Sequence, residues 1–448
     1  MKKFYIETLG CKVNQYESDG IASCLVKKGW VRTNKDQPAD LCIINTCAVT
    51  SRAGMQSRQA IRRIIRENPE TRIIVTGCHA QTDPDLVHKI EGVHQVVCHR
   101  DKTGIPDLAS DLIRKSDPEK EDSTLAFKPV DHTPANQFIS FPEVVQGSMT
   151  RAYLKIQDGC NAFCTYCIVP YARGSSVSMP EQEVFRHLEL LGDAGFREVI
   201  LTGIHTGMYG RDLRPGISLS DLVEKIDRLR PVERVRLSSI EPMEMDDRLI
   251  DCAGDGRVLC DHFHIPLQSG DDDILKKMKR PYTSGHFSRV IRRIHSKLPF
   301  AGIGADILIG FPSETDEQFT NTFRLIKDLP ISYLHIFPFS PRKGTPAYDF
   351  ENPVDPEVIK ERCRLMRALD RKKREAFIRD NMGRRLKGLV QHKEDRQSGR
   401  LKAVTSNYLT VSLDPALADK NQALKGKMVD LVLERCDKEF NLFGRITP

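Results

Sequence analysis

The stretch DGCNAFCTYC, residues 158–167, places three cysteines in the order C-x3-C-x2-C directly after a short strand-like run, AYLKIQ (152–157). Three thiolates on one tight loop can hold three irons of a 4Fe-4S cube, whose corners usually take four cysteines. A zinc knuckle is the alternative, but zinc sites need paired ligand groups, and the sequence has no second C-x2-C pair. The spacing of Cys160, Cys164 and Cys167 (the loop triad) therefore favours a cluster with one iron open to a ligand other than cysteine.

Three strand-like runs near the N-terminus each end in a cysteine: FYIETLGC (4–11), DLCIINTC (40–47) and RIIVTGC (72–78). Helical stretches at 16–29 and 51–67 separate them, and this alternation predicts a doubly wound parallel sheet. Ligands gather outside the carboxyl ends of such strands. We therefore expect Cys11, Cys47 and Cys78 (the strand-end triad) to converge and to hold a second cluster with its own open iron. The alternative is three small, buried core residues.

The remaining cysteines follow no such pattern, and we assign them to the core or the surface. They are Cys24, Cys42, Cys98, Cys252, Cys260, Cys363 and Cys436. The chain is typical of a soluble globular protein of about three domains, with 448 residues, 40% hydrophobic and 29% charged. Neither a long apolar run nor a signal peptide is present, which predicts a cytoplasmic protein with reduced thiols and no membrane partner.

Positive charge is concentrated at the C-terminal end. The net charge is +7, and residues 353–448 hold 22 Lys and Arg against 14 Asp and Glu. This basic region predicts binding to an anionic polymer such as a nucleic acid, with a solvated helix face as the alternative.

Repeating strand–helix units follow the loop triad. The strand candidates are 152–157, 197–203, 233–240, 261–267, 302–310 and 332–339. The helix candidates are 180–195, 219–229, 284–298 and 315–329. Six units are fewer than the eight of a closed barrel, so the sequence predicts a partial, open (β/α)6 barrel.

Polar residues and a glycine stand at or just after the ends of several of these strands. Thr202 and Gly203 are the last residues of the second strand candidate, Ser238 lies near the end of the third with Glu241 directly after it, and Gln268 follows the fourth. Barrel sites lie at the carboxyl ends of the strands. We expect these residues to form a cradle for a small molecule, although a structural turn is the simpler interpretation of any single one.

The last part of the chain predicts a helix followed by a small antiparallel β-barrel. The helix candidate is 355–383, and the strand-like runs are 385–393, 401–413, 426–436 and 440–446. Barrels of this OB-like kind read nucleic acid with basic grooves and aromatic residues. Tyr408, Phe440 and Phe443 are the aromatics available, although most such residues in small barrels belong to the core.

These motifs together resemble one enzyme family. The C-x3-C-x-aromatic-C pattern, with Tyr166 before the last cysteine, is similar to the radical S-adenosylmethionine (SAM) signature. The strand-end triad ahead of it looks like the cluster-bearing domain of the methylthiotransferases, and the C-terminal barrel is similar to a TRAM domain, which binds RNA. The resemblance implies three domains, 1–114, 146–376 and 379–448, with a Pro-, Asp- and Lys-rich linker at 115–145.

The resemblance also implies roles for the candidate residues. The loop triad would hold the radical-generating 4Fe-4S cluster, whose open iron binds SAM, and the strand-end triad would hold the auxiliary cluster that carries the inserted sulfur. A second SAM supplies the methyl group. The SAM cradle would be formed by Tyr166, Thr202, Gly203, Ser238, Glu241, Gln268 and the backbone of 307–311. The implied partners are tRNA rather than DNA, and an electron donor such as flavodoxin or ferredoxin.

Three branches of the family compete, and short motifs favour one of them. The motifs are GCKVNQYES (10–18), NTCAVT (45–50), ARGSS (172–176) and SPRKGTPA (340–347). They most resemble the branch that methylthiolates N6-threonylcarbamoyladenosine next to the anticodon, and Lys12 and Val13 differ from the pair usual in the isopentenyladenosine branch. The third branch modifies a ribosomal protein. A non-catalytic iron–sulfur regulator that binds RNA, and an enzyme whose auxiliary cluster only transfers electrons, are the remaining alternatives.

Overall fold

The structure is a computed structural model that describes residues 1–114, 137–142, 149–395, 398–413 and 421–447. The predicted linker at 115–145 lies outside these residues except for 137–142. The described residues form two compact units. The first contains those of 1–147, 157–179 and 340–348, and the second contains 149–156, 180–339 and 349–447. The limits of the three domains named above stay a prediction.

A parallel sheet forms the centre of the first unit. Its strands are β1 (Lys3–Thr8), β2 (Val31–Arg32), β3 (Leu41–Thr46), β4 (Arg72–Gly77) and β5 (Gln95–Val96), in the order β2-β1-β3-β4-β5. The helices are α1 (Lys12–Lys27), α2 (Ser51–Glu67), α3 (Cys78–Thr82), α4 (Pro84–His88) and α5 (Ile105–Arg114). Every pairing in this sheet is parallel, as the alternation of strands and helices predicted.

Helices cover both faces of this sheet. On one face, Ile44 and Val75 pack in a core with Ile61 of α2. The alternate residues Ile43 and Ile74 are fully buried as well, and α1 and α5 contact β3 and β4. Burial on both faces explains why β3 and β4 are almost continuous apolar runs. The predicted doubly wound sheet is confirmed.

The first unit also contains the segment 157–179. The predicted strand at 152–157 is divided into β6 (Ala152–Lys155), which belongs to the second unit, and β7 (Gln157–Asp158). β7 pairs antiparallel with β8 (Val177–Ser178), and the loop triad and α6 (Val169–Arg173) lie between these two strands.

Six parallel strands organise the second unit. They are β6, β9 (Glu198–Thr202), β10 (Arg234–Leu237), β11 (His262–His264), β12 (Gly302–Ile309) and β13 (Tyr333–Pro338). The helices are α7 (Glu181–Asp193), α8 (Leu219–Leu229), α9 (Asp247–Asp251), α10 (Asp272–Lys277), α11 (Ser284–Lys297) and α12 (Asp316–Asp328). The strands form two sheets, β6-β9-β10 and β11-β12-β13, in sequence order around a partial barrel. The predicted fold of this region is confirmed.

The C-terminal part of the second unit is a closed five-stranded barrel. It follows α13 (Pro356–Asn381) and contains β14 (Arg385–Val390), β15 (Lys402–Thr405), β16 (Thr410–Leu413), β17 (Met428–Cys436) and β18 (Leu442–Ile446), with α14 (Asn421–Leu424) before β17. Its order is β14-β15-β16-β18-β17. The closing pair β16/β18 is parallel and the other four pairs are antiparallel, so the predicted small barrel is present with one parallel pairing.

The run 401–413, expected to be continuous, is two strands joined by a turn. Tyr408 has φ of 75°, in the left-handed region, which interrupts an extended chain. The Thr405 hydroxyl accepts a hydrogen bond from the Leu409 amide at 2.9 Å and donates to Asn407 Oδ1 at 2.7 Å. These local hydrogen bonds replace those of a strand at 406–409.

The same turn attaches the C-terminal barrel to the parallel strands of the second unit. Arg236 donates from Nη1 to the Ser406 carbonyl at 2.8 Å and from Nη2 to the Thr405 carbonyl at 3.0 Å. Tyr408 packs on His262 with ring centroids 4.3 Å apart. Tyr408 is therefore part of this attachment, whereas Phe440 packs on the barrel core and Phe443 lies against arginine side chains.

Within the described part of the chain, none of the helices combines the length and the apolar character that crossing a bilayer requires.

Candidate functional site

The strand-end triad lies at the carboxyl ends of three neighbouring strands of the first unit. Cys11 is the N-cap of α1, Cys47 directly follows β3, and Cys78 begins α3 directly after β4. Cys47 and Cys78 are buried, whereas Cys11 is exposed. Parallel strands end at the same edge of a sheet, so three distant positions in the sequence share one rim.

Close packing at this rim is visible at Gly10. Its φ is 101°, and a Cβ built there would lie 2.8 Å from Cys47 Cβ and 2.9 Å from Cys47 Sγ. The backbone beside Cys11 can therefore approach Cys47 only because residue 10 is glycine. The turn between β1 and α1 is shaped to bring these two cysteines together.

The environment of these thiols disfavours free thiolates and favours thiolates that bind a metal. The pKa of Cys47 is raised to about 11, chiefly by burial and to a smaller extent by the charges of Cys78 and Cys11. Burial also raises the pKa of Cys78. The charge of Cys11 raises the pKa of both Cys47 and Cys78, which indicates that the three sulfurs lie on the same rim. Three thiolates this close are stabilised when they bind a cationic centre, and this donor set fits an iron–sulfur cluster.

A charged network that we did not anticipate lies under this rim. Arg173 donates from Nη1 to Glu17 Oε1 at 3.0 Å and to Asp158 Oδ1 at 2.9 Å, and from Nη2 to Asn14 Oδ1 at 2.6 Å. Lys102 also forms a short hydrogen bond with Glu17. All five residues are buried. Buried charges need partners, and here each one has an opposite charge within reach.

The loop triad is held in a compact turn between β7 and β8. The Cys160 amide donates to the Gly174 carbonyl at 3.0 Å, and the Cys167 amide donates to the Cys164 carbonyl at 3.0 Å. Gly159 has φ of 69°, and a Cβ there would lie 1.9 Å from the Ser175 carbonyl oxygen. Only glycine fits at this crossing of the two arms of the loop.

Both triads thus belong to the first unit, and α6 connects them. The Ala172 side chain packs in one apolar cluster with Ala48 and Cys78. Tyr166, which we placed in the SAM site, is half-buried within the loop triad. The structure therefore brings the three cysteines of each triad into one neighbourhood. The identity of the group that each triad holds stays a prediction.

The remaining cradle candidates lie at the carboxyl ends of strands in the second unit. Thr202 is the last residue of β9 and is buried, with Gly203 after it. Ser238 directly follows β10 and exchanges a hydrogen bond of 2.7 Å with the Thr206 hydroxyl. Gln268 has φ of 66° and accepts from the Leu308 amide at 2.9 Å, which links it to the 307–311 backbone.

Glu241 has an established ionic partner in the same unit. Arg280 forms a short hydrogen bond with its carboxylate. Burial raises the pKa of Glu241, and the positive charge of Arg280 opposes this rise. Glu241 can therefore orient Arg280 as well as contact a ligand directly.

A histidine–aspartate cluster inside the second unit was also missed. Asp306 Oδ1 lies 2.8 Å from His264 Nε2 and 3.2 Å from His335 Nδ1. The His264 and His335 rings stack at 4.8 Å. A signal was available, because polar residues at alternate positions of otherwise apolar strands indicate a lumenal face. The Arg173 network leaves no comparable trace, since Arg173 and Glu17 are 156 residues apart.

Comparisons with known proteins cover nearly the whole chain. Residues 3–99 match the family described as "Uncharacterized protein family UPF0004", and residues 154–326 match the one described as "Radical SAM superfamily". The chain is 37% identical to a protein named threonylcarbamoyladenosine tRNA methylthiotransferase MtaB from Bacillus subtilis, over 90% of this chain and 88% of the relative. A protein of the same name from Aquifex aeolicus is 34% identical, over 91% and 96%.

A differently named relative and distant structures complete the comparison. The tRNA-2-methylthio-N(6)-dimethylallyladenosine synthase of Natranaerobius thermophilus is 31% identical over 99% of this chain and 97% of its own length. The radical SAM methyltransferase TsrM from Kitasatospora setae superposes with a TM-score of 0.57 at 15% identity, over 78% of this chain and 77% of TsrM. That likeness supports the radical SAM fold and nothing finer.

Proposed function

Because this chain belongs to the radical SAM tRNA methylthiotransferase family, we propose that it attaches a methylthio group to carbon 2 of N6-threonylcarbamoyladenosine in tRNA. The observation that carries the proposal is the presence of two cysteine triads in one unit, each gathered around a single turn or sheet edge. A family of this reaction class needs two cluster sites, and the two triads would supply them.

The substrate is proposed from the relatives. Five relatives named for threonylcarbamoyladenosine are 34–37% identical to this chain, whereas three named for dimethylallyladenosine are 30–31% identical. Methylthiolation of N6-isopentenyladenosine is therefore the second candidate. The threonylcarbamoyl group carries a carboxylate, and Lys12, the first residue of α1 after Cys11, could pair with it. An unchanged substrate choice in Lys12→Met would remove this role for Lys12.

The cofactors follow from the same assignment. The loop triad would hold the 4Fe-4S cluster that binds SAM, and the strand-end triad would hold the second 4Fe-4S cluster. When bound, these groups supply the electron that cleaves SAM, the sulfur and, from a second SAM, the methyl group. A cytoplasmic reductant of the flavodoxin or ferredoxin class would provide the electron.

The residues of this chain would bind and orient the clusters and SAM, and would exclude water from them. Burial of Cys47, Cys78 and Cys164 keeps solvent from three of the six sulfurs that would bind the clusters. In the second unit, Thr202, Ser238 and Gln268 would offer hydroxyl and amide groups to the polar parts of SAM. With Gly203, Glu241 and the backbone of 307–311, they retain the SAM-binding role that the resemblance implied.

The C-terminal barrel would bind the tRNA. Arg435 and Arg400 lie over the Phe443 ring at 3.9 and 5.1 Å. Guanidinium groups stacked beside an aromatic ring offer charge to phosphates and a flat surface to bases. This is the arrangement expected of a module that binds RNA without reading its sequence.

The deciding experiment is nucleoside analysis of tRNA from cells that contain or lack this protein. We expect 2-methylthio-N6-threonylcarbamoyladenosine to disappear without the protein and to return with the wild-type gene. Cys47→Ala and Cys164→Ala should fail to restore it, whereas Cys252→Ala, which removes a buried thiol outside both triads, should restore it. Loss of the isopentenyl product instead would select the second candidate.

The alternative that this protein is a non-catalytic regulator is tested in vitro. The reconstituted, reduced protein should release 5′-deoxyadenosine from SAM, and no release would refute the enzyme. Product that lacks sulfur would indicate that the auxiliary cluster only transfers electrons.

A further inference from the structure

A buried arginine joins the two triads of the first unit. Arg173 lies six residues after Cys167, at the end of α6, and its side chain is 1% exposed. Its contacts reach Asn14 and Glu17, which lie on α1 just after Cys11. The same guanidinium also reaches Asp158, two residues before Cys160. One side chain therefore fixes the two arms of the loop triad to the helix that Cys11 caps.

One donor of this guanidinium is left over. The Nη atoms are engaged by the contacts above, but Arg173 Nε is buried and has no hydrogen-bond partner among the described residues. An unsatisfied buried N–H is costly, which suggests that it has a function. Cys78 is the neighbouring sulfur. Helix α6, which ends at Arg173, packs on α3, which begins at Cys78, and Ala172 beside Arg173 lies in one apolar cluster with Cys78.

The carboxylates around Arg173 show which edge of its guanidinium has no negative partner in the described part of the chain. Glu17 already has Lys102 as a partner, through a short hydrogen bond, so Arg173 is not needed to neutralise it alone. Glu17 and Asp158 both contact the Nη atoms of Arg173, so its Nε edge has no carboxylate partner among the described residues. A cluster on three thiolates carries negative charge, and a fixed cation beside it stabilises its reduced form.

We propose that Arg173 is a positioning residue shared by the two cluster sites, which fixes the 158–174 loop on α1 and donates from Nε to the sulfur of the auxiliary cluster. This inference rests on the proposed function, because it needs a cluster on the strand-end triad. Because Arg173 contacts both sites, the environment of the auxiliary cluster depends on the order of the loop that holds the other cluster.

The test uses the full chain with one cluster at a time. Alanine at Cys160, Cys164 and Cys167 leaves only the auxiliary site, and alanine at the strand-end triad leaves only the loop site. In each background, Arg173→Lys keeps the cation but removes Nε and the forked contacts, and Arg173→Gln also removes the charge. Arg234→Lys, which alters a buried arginine paired with Glu198 in the second unit, is the matched control.

We expect the reduction potential of the auxiliary cluster to fall in Arg173→Gln and to recover in part in Arg173→Lys. The electron paramagnetic resonance spectrum of the loop cluster should change in both variants, and Arg234→Lys should leave both signals as in the parent. A role confined to stability would lower iron retention without moving the potential of the cluster that remains.

A measurement on unsubstituted arginine covers the case in which the variants do not fold. The single-cluster protein containing only the strand-end triad, labelled with 15N-arginine, should show a nitrogen hyperfine coupling to the reduced auxiliary cluster. No coupling, or unchanged potentials in folded Arg173 variants, would overturn the inference and leave the proposed function intact. If the strand-end triad of the otherwise wild-type chain binds no cluster, the proposed function itself fails.

Discussion

Glu198 on β9 and Arg236 on the neighbouring strand β10 form a buried ion pair, in which Arg236 Nε donates to Glu198 Oε1 at 2.9 Å. Arg234 forms a short hydrogen bond with the same carboxylate. Both guanidiniums use their remaining donors on carbonyls of the C-terminal barrel, at Val404, Thr405 and Ser406. One carboxylate thus orients both arginines that attach this barrel.

Glu198→Gln should weaken this attachment. It leaves two buried guanidiniums without a counter-charge, which costs about 3–5 kcal/mol. We expect a lower urea midpoint and faster tryptic release of the C-terminal barrel. Glu233→Gln is the control, because Glu233 pairs with Arg197 at 2.8 Å on the surface and should change the free energy of unfolding by less than about 1 kcal/mol. Equal effects of the two substitutions would contradict the prediction.

Gly159→Ala should abolish iron binding by the loop triad. The new methyl group would lie 1.9 Å from the Ser175 carbonyl oxygen, and the backbone φ of 69° disfavours any other residue. We expect iron analysis of the reconstituted protein to show about half the parent content, from the auxiliary site alone. Gly104→Ala is the control, since nothing lies within 4 Å of its added carbon. Full iron content in Gly159→Ala would show that the loop tolerates the change.

The Asp306 carboxylate should make the free energy of unfolding depend on pH in the acid range. Burial raises its pKa, but hydrogen bonds from His264 and His335 outweigh burial and lower the pKa to about 2. The folded-state pKa is below the unfolded value of about 3.9, so the stabilisation is complete above about pH 4 and is lost as pH falls toward 2. It amounts to roughly 2 kcal/mol.

Urea unfolding of Asp306→Asn and the parent checks this prediction. The parent should be the more stable protein at about pH 5, and the difference should shrink by about pH 3 because both then lack the charge. A difference that stays constant over this range would mean that the carboxylate contributes by packing and not by its charge.

Arg400 and Arg435 should contribute to tRNA affinity through phosphates. The double substitution to Gln should weaken binding and reduce the slope of log K against log salt by up to about 2. Fluorescence anisotropy with labelled tRNA at several salt concentrations measures both. Arg364→Gln, at an exposed arginine paired with Glu361 on α13, is the control. An unchanged slope would place the tRNA on another surface.

Local signals predicted much of the fold. Helix α2 occupies 51–67 as expected, since Thr50 caps it by accepting from the Ala53 amide at 3.0 Å. The central strands β3 and β4 were readable because they are buried on both faces and are therefore almost continuous apolar runs. The turn at 406–409 was not predicted, because Tyr408 is a residue type that rarely adopts positive φ.

The candidate site, like the fold, was predicted only in part. The cysteines stand out because each ends a strand or shares a short loop, and their ligand roles stay predictions. Arg173, Glu17 and Lys102 were missed because their pairing depends on contacts between distant parts of the chain. Lys102 and Glu17, for example, are 85 residues apart. Charge pairs of this kind leave no period in the sequence, so only the folded chain reveals them.

The attachment of the C-terminal barrel has a consequence for how a substrate would be chosen. Its turn at 405–408 is hydrogen-bonded and stacked onto β10 and β11, so within the second unit the barrel cannot swing independently of the strands. The span from Arg400 and Arg435 of this barrel to the strand ends is therefore constant. A tRNA bound at these arginines would present its nucleotides at fixed distances from them. The nucleotide that reaches the strand ends would therefore be the one that is modified.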